Sequence, residues 1–292
     1  MLNFGSAQNV PNQVVVKTGT GGKVTVYAGG ATNVIVDVVG YFTSADFNKF
    51  TPVASPTRIT AVTVPALGTV DVQVLGAGGI PLTGPANRSI EAVVLNIGAV
   101  NPTAAGHLRV WTSGLTMPNA STNNFGKGDS RSNLTIVSPG NTTSASMGKV
   151  SIYNGSGGPL TLTVDTVGYF TLGGQVLVPI SPARLLDTRI GSAVPAGGYV
   201  EASVRGFSGI PDSADVTAVV VNVASVNPAA AGSVDVGKSG ANPALPSFFH
   251  PAGQNVANLV ITQVGADGKI RIVNNSPGTT HVIADITGYF TN

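Results

Sequence analysis

Apolar residues along this 292-residue chain come in short runs that alternate with polar ones, and glycine, proline and asparagine punctuate the runs. Val70 to Val74 reads Val-Asp-Val-Gln-Val and Lys23 to Tyr27 reads Lys-Val-Thr-Val-Tyr, the period-two pattern of a strand with one buried face. Ala92 to Ile97 is mostly apolar and predicts a strand buried on both faces. No stretch of ten or more residues carries a 3.6-residue stripe. The most helix the pattern allows is a short turn at 82–89 or 212–215. The elements predicted are short strands joined by tight turns.

The runs repeat. Asp37-Val-Val-Gly-Tyr41-Phe42, Asp165-Thr-Val-Gly-Tyr169-Phe170 and Asp285-Ile-Thr-Gly-Tyr289-Phe290 close three similar segments. In each, an asparagine (Asn12, Asn133, Asn258) precedes a first strand, and a second strand follows from Lys23, Lys149 or Lys269. The glycine turns between them predict a three-stranded meander, here named the B half; in the first copy its strands are Val14–Val16, Lys23–Tyr27 and Asn33–Val39. A different unit, the A half, occurs twice. Ser55-Pro-Thr-Arg58 matches Ser181-Pro-Ala-Arg184, Gly79-Ile-Pro81 matches Gly209-Ile-Pro211, and Val100-Asn-Pro102 matches Val226-Asn-Pro228. The order is B-A-B-A-B.

The box Pro182-Ala-Arg-Leu-Leu-Asp-Thr-Arg189, together with Gly-Ile-Pro, Val-Asn-Pro and the terminal Gly-Tyr-Phe, resembles a repeat module of secreted and surface proteins of actinobacteria and related Gram-positive bacteria. The resemblance covers nearly the whole chain. It implies that a module runs from the arginine box to the Gly-Tyr-Phe box, hence modules at 45–172 and 173–292 and an orphan B half at 1–44. The fold expected is all-β: tandem antiparallel β-sandwich modules built from A and B halves. Linkers are expected at Ser44–Phe47 and Leu172–Gly174. The first module departs from the pattern, with Ile59-Thr60-Ala61 after Arg58 where the box continues in the second.

Composition narrows function. Charged residues are 10% of the chain, 15 basic against 13 acidic, with no cationic run. Duplex binding needs clustered cations, so nucleic acid is not an expected partner. Cysteine is absent, which removes disulfides and thiolate metal sites. No apolar stretch is long enough to span a membrane as a helix. The start lacks the basic and apolar regions of a signal peptide; if the parent protein is secreted, the chain is expected to be a mature part of it.

Arg184, Asp187 and Arg189 form the densest charged group. They read either as a weak carboxylate- or sugar-binding site or as a clamp in which Asp187 bridges two arginines. Asp37, Asp165 and Asp285 lack a second carboxylate nearby and are expected to bond within their own modules rather than to hold calcium. The tyrosines and phenylalanines of the three end boxes read as core residues, with a sugar-stacking platform as the alternative. The histidines (107, 250 and 281) occupy non-equivalent repeat positions, no nucleophile motif exists, and neither metal nor cofactor is expected. The function expected is therefore non-catalytic: an extracellular structural or adhesive repeat protein. Its partners would be copies of itself or neighbouring modules, and its orphan half would drive head-to-tail assembly. The alternative is an accessory module that binds cell-wall or other glycans.

Overall fold

The computed structural model describes residues 2–6, 8–43, 49–87 and 89–292. Two β-sandwiches follow one another. The first is built from β1 (Lys49–Val64), β2 (Thr69–Gln73), β3 (Ala92–Val100), β4 (Gly106–Thr112), β5 (Asn123–Phe125), β6 (Arg131–Val137), β7 (Lys149–Asn154) and β8 (Leu160–Thr171). The second repeats the plan with β9 (Val176–Asp187), β10 (Tyr199–Ser203), β11 (Val216–Val226), β12 (Gly232–Lys238), β13 (Phe248–His250), β14 (Val256–Gln263), β15 (Lys269–Asn275) and β16 (His281–Thr291). The sheets are β1-β8-β3-β6 and β2-β7-β4-β5 in the first, β9-β16-β11-β14 and β10-β15-β12-β13 in the second. Strand pairs are antiparallel, as in β1 with β8 and β11 with β16. Only single 3-10 turns interrupt the strands, at Pro85–Asn87 in the first sandwich and Thr188–Ile190 in the second. The linker expected at Ser44–Phe47 lies outside the described residues.

The strands of a B half do not pair with one another, which corrects the expected meander. β6 pairs with β3, β7 with β2 and β4, and β8 with β1 and β3. Every one of these partners belongs to the A half. The glycine turns carry the chain from one sheet of the sandwich to the other, so each B strand is threaded into an A-half frame. The same dependence explains a second correction. Among described residues 2–43 there is no strand at all, only a 3-10 turn at Thr20–Gly22. A B half without an A half has no ladder to join.

Each sandwich has its own core. In the first, Val93, Leu95, Ile97, Leu108, Ile152, Leu162 and Val164 interdigitate between the sheets; in the second, Val219, Val221, Val223, Val234, Ile270, Ile272 and Ile286 do so. A third apolar cluster lies between the sandwiches, where Phe50, Val94, Leu134 and Phe170 meet Ala218, Val220, Leu259, Ile261 and Phe290. That cluster is why the apolar run at Ala92–Ile97 is buried on both faces: alternate residues of β3 fill the sandwich and the contact between sandwiches.

The end boxes divide in the same way. Tyr289 joins the second sandwich core and Tyr169 packs against the first, while Phe170 and Phe290 point to the opposite side and join the cluster between sandwiches. Gly168 makes room for this arrangement, since a Cβ there would come within 2.4 Å of the Phe50 ring.

Candidate functional site

The arginine boxes anchor each sandwich to its end box. Arg58, on β1, grips Asp165, on β8, through two bonds of 2.7 and 2.9 Å. This carboxylate raises the Arg58 pKa above its ordinary value. Arg184 pairs with Asp285 in the equivalent place. In the second module Asp187 bridges Arg184, at 2.9 Å, and Arg189, at 2.7 Å. Hydrogen bonds from the Arg189 guanidinium hold the Asp187 carboxyl well below the usual range. Asp187 also accepts from the Arg189 amide and caps the 3-10 turn that ends β9. Where this box is replaced by Ile59-Thr60-Ala61, two of them β-branched, the strand β1 runs on unbroken to Val64.

The third Asp-x-x-Gly-Tyr-Phe box has different surroundings. No cation pairs with Asp37 among the described residues. Tyr41 is 85% exposed, whereas Tyr289 is 8% exposed. Val34, Ile35, Val36, Val38 and Val39 are all exposed. Leu162 and Val164, the counterparts of Val34 and Val36 in the first module, are fully buried.

Yet this half is seated on the other two. The Leu259 amide donates to Asn12 Oδ1 at 3.0 Å, and Asn12 Nδ2 donates to Asn222 Oδ1 at 2.8 Å. The first of these contacts has a twin between the sandwiches, where the Leu134 amide donates to Asn258 Oδ1 at 3.3 Å. In both cases the repeat asparagine of one B half accepts from the residue after the repeat asparagine of another. Four residues earlier in the repeat, Gln8 Nε2 donates to Gln254 Oε1 at 3.4 Å. At the other end, the Phe42 ring lies 5.3 Å from Phe170, and Val15 packs against the cluster between the sandwiches. Like positions of the repeat thus contact like positions, as they do around a rotation axis. Asn12 and Phe42 were legible as repeat positions, but nothing in the sequence says that they touch their own counterparts.

A cavity of about 120 Å³ between the sandwiches is lined by Phe50, Asn96, Asp165, Asn258 and Gln263, below the several hundred Å³ of an ordinary small-molecule site. A shallower recess of about 450 Å³ is lined by Gln175, Arg205, Lys238 and Gln263 and by no aromatic residue. Neither contains Arg184, Asp187 or Arg189. No group of three or more potential metal ligands exists among the described residues. No helix among them is long and apolar enough to cross a membrane.

No protein-family model matches the sequence, and no curated protein matches it either. Among solved structures it is similar to the PBSX exported protein XepA, at 13% identity and a TM-score of 0.25, covering 87% of this chain and 100% of that one. It is similar also to the STIV MCP, at 8% identity and a TM-score of 0.23, covering 83% of this chain and 96% of that one. The tandem CBM22 domain of Paenibacillus barcinonensis Xyn10C follows at 11% identity and a TM-score of 0.21, over 84% and 93% of the two chains. Scores this low leave function to be read from the chain's own residues.

Proposed function

We propose that the chain is a non-catalytic structural or adhesive repeat protein of the extracellular space or cell surface, and that it works by assembly. Its two sandwiches act as rigid spacers, fixed to each other by the phenylalanine cluster. The segment 12–42 is its joint.

The observation that carries this reading is the divided surface of that joint. Asn12, Val15 and Phe42 engage the two sandwiches, while Val34, Ile35, Val36, Val38 and Tyr41 face outward. Exposed apolar side chains this dense along one segment mark an interaction surface.

Light scattering on a sizing column, with negative-stain images of the same fractions, tests the reading. The purified chain is expected to form particles above the 29.2 kDa of a monomer, and Val36→Asp is expected to return it to monomer. A chain that stays monomeric at every concentration and is unaffected by Val36→Asp contradicts assembly through this strip.

A further inference from the structure

We propose that the outward face of the β2-β7-β4-β5 sheet binds an acidic polysaccharide, with the Trp111 indole stacking on a sugar ring and the Arg109 guanidinium holding a uronate carboxylate. This site lies on a different surface from the segment 12–42 and does not depend on the assembly proposed above.

The alternation of the strands puts the site together. On β4, Leu108 and Val110 turn inward to the core, so His107, Arg109 and Trp111 turn outward. On β7, Val150 and Ile152 turn inward, and Lys149, Ser151 and Tyr153 turn outward. The register sets Arg109 opposite Tyr153 and Trp111 opposite Ser151. The guanidinium lies over the Tyr153 ring, 5.9 Å from its centre. Trp111 Nε1 donates to the Leu115 carbonyl at 3.0 Å, which fixes the plane of the indole. Both side chains are half-buried, so each is held by its neighbours and still reaches solvent.

Charge selects the ligand. Of the described arginines, Arg58, Arg131, Arg184, Arg189 and Arg271 each pair with a carboxylate. Arg205 ties down the carbonyls of Val216 and Ala266. Arg109 has no carboxylate partner among the described residues. Its Nε donates to His107 Nε2 at 3.1 Å and its Nη1 to the Pro118 carbonyl at 3.3 Å, which leaves Nη2 of the five-donor fork without a protein acceptor. Burial, and behind it the charge of Arg109, pushes the His107 pKa down, so the imidazole stays a neutral acceptor that steers the fork. The strands of this sheet carry two basic residues, Arg109 and Lys149, against one acidic residue, Asp71. Asp71 is already engaged by the Ser151 hydroxyl at 2.6 Å. A planar fork beside a fixed indole matches a carboxylate on a sugar ring. The face is open rather than enclosed, which suits a polymer that continues past it on both sides.

The second sandwich has closed the same face. Asp235 stands opposite Val273 as Arg109 stands opposite Tyr153; it is buried and accepts from Ser233 and Asn275. Gly237 stands in the place of Trp111, and a Cβ there would come within 3.1 Å of the Pro243 ring. The loop after β12 occupies the space that the indole fills in the first sandwich. Each chain therefore carries one such face.

Trp111 is the only tryptophan of the chain, so its emission reports the site directly. The test titrates the full chain with a linear tetramer of galacturonic acid, with the neutral galactose tetramer of the same linkage, and with tetraglutamate. A saturable change in emission is expected with the uronate tetramer alone, weakened by added salt. Arg109→Gln should weaken binding at least ten-fold at an unchanged urea midpoint. Calorimetry of Trp111→Ala should show binding lost, and Trp111→Phe should restore most of it. If Arg109→Gln does not fold, Arg109→Lys decides, since it keeps the charge and loses the fork. No response to the uronate tetramer at millimolar concentration overturns the proposal. An equal response to the neutral tetramer overturns the role of charge, and an equal response to tetraglutamate overturns the sugar. Unchanged affinity in the folded Arg109 variant places the ligand elsewhere and overturns the site.

Discussion

The Leu259 amide donates a hydrogen bond of 3.0 Å to Asn12 Oδ1, and this bond ties a segment without a strand of its own to the central sheet of the second sandwich. Asn12 Nδ2 reaches Asn222 on the neighbouring strand of the same sheet. One side chain thus spans β14 and β11. Asn12→Ala removes both bonds and should cost the docked segment roughly 1–3 kcal/mol. Limited proteolysis would report it as faster cleavage between residues 12 and 43 with the two sandwiches unchanged.

The cluster between the sandwiches predicts how they are coupled. Phe50 is fully buried, with its ring 4.4 Å from Phe290 and 5.4 Å from Phe170. Phe50→Ala should cost about 3–5 kcal/mol and split one calorimetric transition into two, because each sandwich keeps its own core. Gly168→Val attacks the same contact from the other side and should have the same signature.

The faces of the strands were legible in the sequence, but their partners were not. The alternation at Val70–Val74 and the doubly apolar run at Ala92–Ile97 correspond to strands with one and two buried faces. A period of two says which side a residue faces and is silent on which strand lies beside it. Short glycine turns suggested hairpins, whereas β6, β7 and β8 belong alternately to opposite sheets. The Tyr-Phe pair shows the same limit: two adjacent aromatics in a strand must point to opposite sides, yet their spacing does not say that Phe170 packs against Phe42, Phe50 and the cluster between the sandwiches. Arg184, Asp187 and Arg189 stood out as a charged group, but the pairing of Arg184 with Asp285 depends on the register of β9 against β16.

The asparagine knots should be the most sensitive polar positions. Asn154 Nδ2 donates to the carbonyls of Val64, Pro65 and Gly158, and its Oδ1 accepts from Ser156. Asn154→Ala leaves these groups buried without partners and should destabilise the first sandwich by about 2–5 kcal/mol. Urea unfolding of the variant should show the first sandwich melting ahead of the second.

Two groups predict how stability depends on pH. Burial, and behind it the charge of Arg131 from the first sandwich, pushes the His250 pKa down. Folding therefore favours its neutral form, and stability should fall as pH drops below the ordinary histidine value of about 6.5. His250→Gln should remove that slope between about pH 6.5 and 5. Asp187 acts in a lower window. Its carboxyl is held ionised by Arg189, so its contribution is present above the unfolded value of about 3.9 and is lost as pH falls below it. Asp187→Asn should flatten the acid limb of a urea midpoint against pH.

The central claim is that residues 12–42 are an open half module, and amide hydrogen exchange of the monomeric chain tests it most directly. Exchange at Val34–Val39 should be fast, near the rate of an unstructured peptide, while Leu162–Val167 on β8 should be protected to the full stability of their sandwich. Equal protection of the two segments in the monomer would mean that the first B half already has its partner strands, and would contradict the account.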